Sequence, residues 1–122
     1  MSDSLPPVAV PLPSEPIVRI LADSPVDHGY AATLELCGEH DLASADKIRG
    51  ALALIDGSVL VDLSECQFID STVIGVLLED RRERSARGQL LDLVVPPSNG
   101  RITRILGVAG LAPLLSIVPE RP

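Results

Sequence analysis

Aromatic residues are almost absent from this chain. Tyr30 and Phe68 are the only two among 122 residues, and there is no tryptophan. Proteins that bind single-stranded nucleic acid stack the bases on aromatic side chains, and two aromatic residues cannot build such a platform. The core must instead be aliphatic, and the 46% apolar composition supplies enough Leu, Ile, Val and Ala for one folded domain.

Basic residues are scarce as well. Ten Lys and Arg stand against 17 Asp and Glu, which gives a formal net charge of −7. Nucleic-acid backbones and anionic membranes bind basic faces, so neither is an expected partner. No apolar run approaches the roughly 20 residues of a membrane-spanning helix. No Lys or Arg precedes Arg19, which argues against a secretory signal. The sequence therefore predicts a cytoplasmic protein.

Motifs for catalysis and cofactor binding are also lacking. Cys37 and Cys66 form no C-x-x-C pair and have no His at metal-ligand spacing, so neither a metal nor another cofactor is expected. The chain contains no G-x-S-x-G and neither glycine-rich phosphate-binding motif. We predict a protein that is not an enzyme. Two alternatives stay open: His40 with Asp41 as a general base, and the two cysteines as a redox switch.

Five prolines mark residues 1–16, which we predict to be a flexible tail before a single domain of residues 17–122. Apolar patterns in that domain predict strands at 17–21, 30–37, 59–63, 89–95 and 114–118. Helices are expected from Ala43 or Ser44, from Ser71, and after a cap at Ser98. The order ββαβαβαβ predicts an α/β fold, a mixed sheet with helices packed against it. Residues 64–70 are expected to form a loop, and the charged run 79–87 a solvated helix face.

The segment 59–78, VLVDLSECQFIDSTVIGVLL, carries most of the functional information. It predicts a buried strand, a loop, and then a helix that begins at Ser71. A helix N-terminus has free N–H groups and favours negative charge, so a phosphoryl group on Ser71 would be tolerated there. It would face Asp70 and either Asp41 or Asp62, and it would repel a partner surface fitted to a neutral hydroxyl. The alternative is that Asp70, Ser71 and Thr72 only cap the helix.

Three short motifs resemble one protein family. The first is Val61-Asp62-Leu63-Ser64 followed by Phe68-Ile69-Asp70-Ser71-Thr72 and Gly75; the second is Gly38-Glu39-His40-Asp41; the third is Gly110-Leu111. Together they resemble the STAS domain of bacterial anti-sigma factor antagonists, over residues 17–118. The resemblance implies a STAS-like mixed sheet, in agreement with the predicted order of elements.

The resemblance also implies a function. Unphosphorylated antagonists of this family bind an anti-sigma factor that is a serine kinase, and thereby free a sigma factor for transcription. By resemblance the phosphoacceptor is Ser71, with Thr72 as the alternative, and a PP2C-type phosphatase would reverse the modification. The expected partner-binding residues are Asp41, Asp70, Ser71, Thr72 and Val73. Val73 departs from the family, which has Gly there, and a β-branched side chain would alter close approach to the helix start.

A second hypothesis keeps the fold and changes the role. The chain would then be a non-phosphorylated STAS accessory subunit of a lipid transporter or of a stress-signalling assembly. An intact pair of hydroxyls at Ser71 and Thr72 favours the phosphorylated antagonist. A partner that is unrelated to kinases would favour the accessory subunit.

Overall fold

A computed structural model describes residues 16–22, 29–108, 110 and 114–122. The predicted tail, apart from its last residue, lies outside the described residues, and so does Leu111 of the third motif. The strands are β1 (Ile17–Ala22), β2 (Ala32–His40), β3 (Val59–Asp62), β4 (Cys66–Ile69), β5 (Leu91–Val94) and β6 (Ser116–Val118). The helices are α1 (Leu42–Ala53), α2 (Ser71–Ala86) and α3 (Gly100–Val108).

The sheet is mixed, as predicted. Its order is β1-β2-β3-β5-β6, with β1 antiparallel to β2 and the following neighbours parallel. β4 lies off this path and pairs in parallel with the last residues of β2. The ladder shifts register between Gly38 and Glu39, and Gly38 has a φ of 83°, which a residue with a Cβ rarely adopts. The α/β fold class is confirmed.

One strand was missed by the sequence prediction. Residues 64–70 were expected to form a loop, but 66–69 form β4. Four residues are too few to display a convincing alternation of apolar and polar positions. The strand exists because its backbone pairs with Gly38 to His40 of β2, and that pairing is a tertiary contact.

The core lies between the sheet and the helices. It contains alternate residues of the central strands, with the inward faces of the three helices packed on them. Fully buried members are Leu34, Leu36, Ile48, Val61, Leu77, Leu93 and Ile102. None of the helices in the described part of the chain is long and apolar enough to cross a membrane.

Arg84 corrects the prediction for the charged run. This residue was expected on a solvated face, yet it is only 1% exposed. Its guanidinium donates to the carbonyls of Leu52 at 2.6 Å, Ile55 at 2.9 Å and Gly57 at 2.6 Å, and pairs with Asp80 at 2.6 Å. The side chain thus binds carbonyls at and just beyond the C-terminal end of α1, where such groups lack helical partners.

The third helix begins one residue later than predicted. Asn99, and not Ser98, provides the cap: its Oδ1 accepts from the N–H of Ile102 at 3.2 Å. The Nδ2 of Asn99 donates to the carbonyls of Leu63 at 2.9 Å and Cys66 at 2.8 Å. One amide therefore caps α3 and also fixes the turn between β3 and β4.

Candidate functional site

Two helices begin side by side at one end of the sheet. His40 and Ile69 are register partners at the ends of β2 and β4, and each is followed by an aspartate. Asp41 caps α1 by accepting from the N–H of Ala43 at 2.9 Å. Asp70 caps α2 in the same way. Because the two strands are parallel neighbours, both helix N-termini and both carboxylates lie at the same edge of the sheet.

Asp70 provides the capping of α2 by itself. Its Oδ1 accepts from the N–H groups of Thr72 at 3.0 Å and Val73 at 3.1 Å. Asp70 also donates its own N–H to the carbonyl of His40 at 3.1 Å, which ties the start of α2 to the end of β2. The helix start is therefore held in place without a contribution from the serine that follows.

Ser71 is the first residue of α2, and it is exposed. Within the part of the chain that the structure describes, its hydroxyl has no hydrogen-bond partner. Of the three residues in the capping alternative, Asp70 does cap the helix, whereas the side chains of Ser71 and Thr72 provide no capping bond within the described residues. What the structure presents is a free hydroxyl at a helix N-terminus, beside the carboxylate of Asp70.

The structure corrects the prediction for Val73. This residue was expected among the partner contacts, but it is 0% exposed and belongs to the core. Its side chain is packed in the core and is therefore not itself available for contact with a partner. Thr72 is partly exposed and remains within reach of a partner.

Asp62 does not face the phosphoacceptor. Its register partner on β2 is Glu35, five residues before His40, which places it roughly 16 Å along the strand from the site at about 3.3 Å per residue. Asp62 accepts from the N–H of Ser64 at 2.8 Å and its hydroxyl at 2.5 Å, and it pairs with Arg121 at 2.5 Å. Burial raises the pKa of this carboxyl, but the bonds from Ser64 and Arg121 outweigh burial and hold the pKa below its ordinary value.

His40 is not available as a general base for Ser71. The ring is 0% exposed, and its nitrogens contact the Ser44 hydroxyl at 3.1 Å and the Cys37 carbonyl at 2.8 Å. Burial lowers the pKa of this imidazole, although the bond to the Cys37 carbonyl acts in the opposite direction. Both nitrogens are thus engaged at the corner between β2 and α1, and the alternative in which His40 acts as a general base is not supported.

The environments of the two cysteines do not favour a redox switch. Cys66 lies in β4 and is buried, and burial raises the pKa of its thiol to about 12. Burial also raises the pKa of the half-buried Cys37 thiol. The thiolate is the reactive form, so both environments suppress reactivity at neutral pH.

Sequence reasoning missed two apolar residues at this edge. Leu42, directly after the cap of α1, is 69% exposed, and Phe68 of β4 is 39% exposed. Phe68 is the register partner of Glu39, one residue before the His40–Ile69 pair. Two features of the sequence could have identified them. Leu42 lies in the first turn of α1, directly after its cap, and Phe68 is a rare aromatic residue in this chain. Among the described residues, no cluster of three His, Cys, Asp or Glu could hold a metal ion.

Comparison with known proteins identifies the family. The family model described as "Mlab, STAS domain" matches residues 26–118, which is 93 of the 122 residues. The chain therefore belongs to the STAS domain family. A sequence search of curated proteins found no significant match.

Solved structures share the fold. An anti-sigma factor antagonist from Mycobacterium paratuberculosis is 18% identical with a TM-score of 0.71, over 88% of this chain and 89% of that one. The anti-sigma factor antagonist SpoIIAA in its unphosphorylated form is 18% identical with a TM-score of 0.67, over 85% and 90%. The murine anion transporter Slc26a9 is 15% identical with a TM-score of 0.59, over 89% of this chain and 21% of that one.

Proposed function

We propose that this STAS protein is an anti-sigma factor antagonist that binds an anti-sigma factor kinase and is released when that kinase phosphorylates Ser71. The observation that carries the proposal is the exposed Ser71 hydroxyl, which has no partner among the described residues while Asp70 caps the helix. A serine with no structural role at this position is free to be modified. The fold shared with SpoIIAA supports the same function.

The switch would act through charge. A phosphoryl group adds about −1.5 to −2 charges at pH 7, and the N-terminus of α2 would tolerate it. The same group would stand beside Asp70, with Asp41 following the neighbouring strand. A partner that fits the neutral hydroxyl would have to desolvate a dianion next to these carboxylates. A penalty of about 3 kcal/mol would weaken binding roughly 100-fold, which is enough to release the partner.

The docking surface would consist of the exposed groups at this edge of the sheet. Asp70 and Thr72, both partly exposed, flank Ser71 along the chain, Asp41 follows the neighbouring strand, and Leu42 and Phe68 add exposed apolar area. The unphosphorylated protein would occupy the kinase and free its sigma factor for transcription. A PP2C-type phosphatase would reverse the modification, and the cycle would take place in the cytoplasm, where the kinase has ATP.

A phosphotransfer assay tests this proposal. The purified protein would be incubated with a candidate anti-sigma kinase and ATP and then measured by intact-mass spectrometry. We expect one phosphoryl group on the wild type and on Thr72→Val, and none on Ser71→Ala. Stoichiometric phosphate on Ser71→Ala would disprove the assignment of the acceptor and move it to Thr72 or elsewhere.

A second candidate function is an accessory module of a transporter. The structural likeness to a fifth of the anion transporter Slc26a9 favours it, because STAS folds are not confined to antagonists. A pull-down from native cell extract with mass-spectrometric identification separates the two functions. Recovery of a small kinase-like ATPase supports the antagonist, and recovery of transporter subunits supports the accessory module.

A further inference from the structure

A groove runs along the outer face of α2, beyond the site described above. Its volume is about 770 Å³, and it lies between α2 and Leu114. Arg81 also lines the groove; the other α2 residues that line it recur every three or four positions on one helix face: Gly75, Leu78, Glu79, Arg82, Ser85 and Ala86. Leu78 is half-exposed with its inner side packed on the core, and Leu114 is 53% exposed. The groove therefore has an apolar floor that faces outward.

Two opposite charges stand on this face without partners. Glu79 and Arg82 are exposed, and neither forms an ion pair within the described ranges. Two neighbouring arginines of α2 do have partners within the chain: Arg84 pairs with Asp80, and Arg81, which also lines the groove, donates to the Ser116 hydroxyl at 3.3 Å. The groove face thus carries one acidic and one basic side chain, Glu79 and Arg82, that have no ion-pair partner within the described ranges.

We propose that this groove is a self-association surface on which a second copy of the chain packs α2 antiparallel to α2. Two-fold contacts place the same patch on both subunits, so the patch must be complementary to itself. With the two-fold axis halfway between Glu79 and Arg82, each Glu79 faces Arg82 of the second copy, and Gly75 faces Ala86. The contact thereby contains two intermolecular ion pairs.

Side-chain size supports the same pairing. Gly75 and Ala86 are small, so the axes of the two helices would approach to the usual spacing of about 8–10 Å. Each residue would add about 1.5 Å to the length of the contact. Leu78 and Leu114 would then be covered at the centre and edge of the contact. A partner with a uniformly acidic or basic surface would satisfy only one charge of the Glu79–Arg82 set, whereas a second copy satisfies both.

A charge-swap cycle tests the proposal. Sedimentation equilibrium of the purified chain over about 10 µM to 1 mM should show a reversible dimer of twice 12.9 kDa. Arg82→Glu and Glu79→Arg should each weaken the dimer at least ~10-fold, and the double swap should restore it to within ~3-fold of wild type. Arg104→Glu, at an exposed position on α3, is the matched control and should leave the dimer unchanged.

A cross-link tests the register independently. A Cβ built on Gly75 meets no atom within 4 Å, so a cysteine is accommodated there. The double variant Gly75→Cys/Ala86→Cys should oxidise to a disulfide-linked dimer, whereas either single variant should not, because equivalent positions lie far from the axis. A wild-type chain that stays monomeric, or a double charge swap that fails to restore association, overturns the proposal. The proposal is also overturned if the groove is covered by another protein and not by a second copy of the chain. No kinase is present in these measurements, so their failure is distinct from failure of the proposed function.

Discussion

The backbone N–H of Asp70 donates a hydrogen bond to the carbonyl oxygen of His40 at 3.1 Å. This bond links Asp70, the N-cap of α2, to the end of β2, which leads directly into Asp41, the N-cap of α1. It fixes Asp41 and Asp70 at one edge of the sheet and leaves Ser71 exposed beside them. The proposed switch depends on this rigid frame, because a hydroxyl controls docking only if its surroundings do not move with it.

Ser71→Asp should mimic part of the phosphorylated state. A carboxylate at the first position of α2 is tolerated by the helix but adds one negative charge to the docking surface. We expect unchanged thermal stability and roughly 10-fold to 100-fold weaker binding to the kinase by calorimetry. Ser71→Ala is the control and should bind like the wild type. Equal affinities for the Asp and Ala variants would show that charge at this position does not govern docking.

Asp70→Ala should lower the free energy of unfolding by ~1–2 kcal/mol, because two N–H groups at the start of α2 lose their acceptor. Asp70→Asn retains a capping oxygen and should lower the free energy of unfolding by only about a few tenths of a kcal/mol. Urea unfolding followed by circular dichroism measures both. A loss in Asp70→Asn as large as that in Asp70→Ala would mean that the charge, and not the cap, is what stabilises the helix start.

Val73→Gly restores the family residue and should nevertheless harm the protein. The Val73 side chain is fully buried, so its removal should lower the free energy of unfolding by about 3 kcal/mol from lost burial and lower helix propensity. The rate of phosphate transfer to Ser71 should be unchanged at a temperature where the variant is folded. A faster transfer would show that Val73 obstructs the kinase after all.

Arg84→Met should be strongly destabilising, by about 3–5 kcal/mol, because the carbonyls of Leu52 and Ile55 lose a charged donor and Asp80 loses its partner. Arg104→Met, at an exposed position, should change the free energy of unfolding by less than ~0.5 kcal/mol. Denaturant unfolding of the two variants makes the comparison. If Arg84→Met and Arg104→Met lowered the free energy of unfolding by similarly small amounts, Arg84 would not be needed to bind the carbonyls at the C-terminal end of α1.

Stability should depend on pH through His40. Burial holds its pKa in the folded protein below the ordinary 6.5, so the unfolded chain binds more protons than the folded one in the interval between the two values. The contribution of His40 is therefore complete above 6.5 and is lost as the pH falls from 6.5 through the folded pKa. His40→Gln should flatten this slope between about pH 5 and 7. An equal slope in both proteins, measured by urea unfolding, would contradict the buried neutral imidazole.

Signals that are local in the sequence predicted much of the fold and of the site. The alternation in β2 and the apolar run of β3 identified strands, and Asp70-Ser71-Thr72 identified the start of α2. These predictions held because caps and amphipathic periods arise from backbone geometry within a few residues. The same local signals predicted Ser71 at the start of α2, whereas its role as the candidate acceptor was implied by the family resemblance.

The features that the sequence did not determine depend on contacts between residues that are far apart along the chain. β4 becomes a strand by pairing with β2, and Arg84 is buried because carbonyls some 30 positions earlier need donors. Asp62 is paired in the structure with Arg121, 59 positions later. The sequence by itself determined which residue types begin and end each element, because that chemistry is local. Only the tertiary structure decided which charged side chains are buried and which hydroxyl is free, because burial and pairing require the whole chain to be in place.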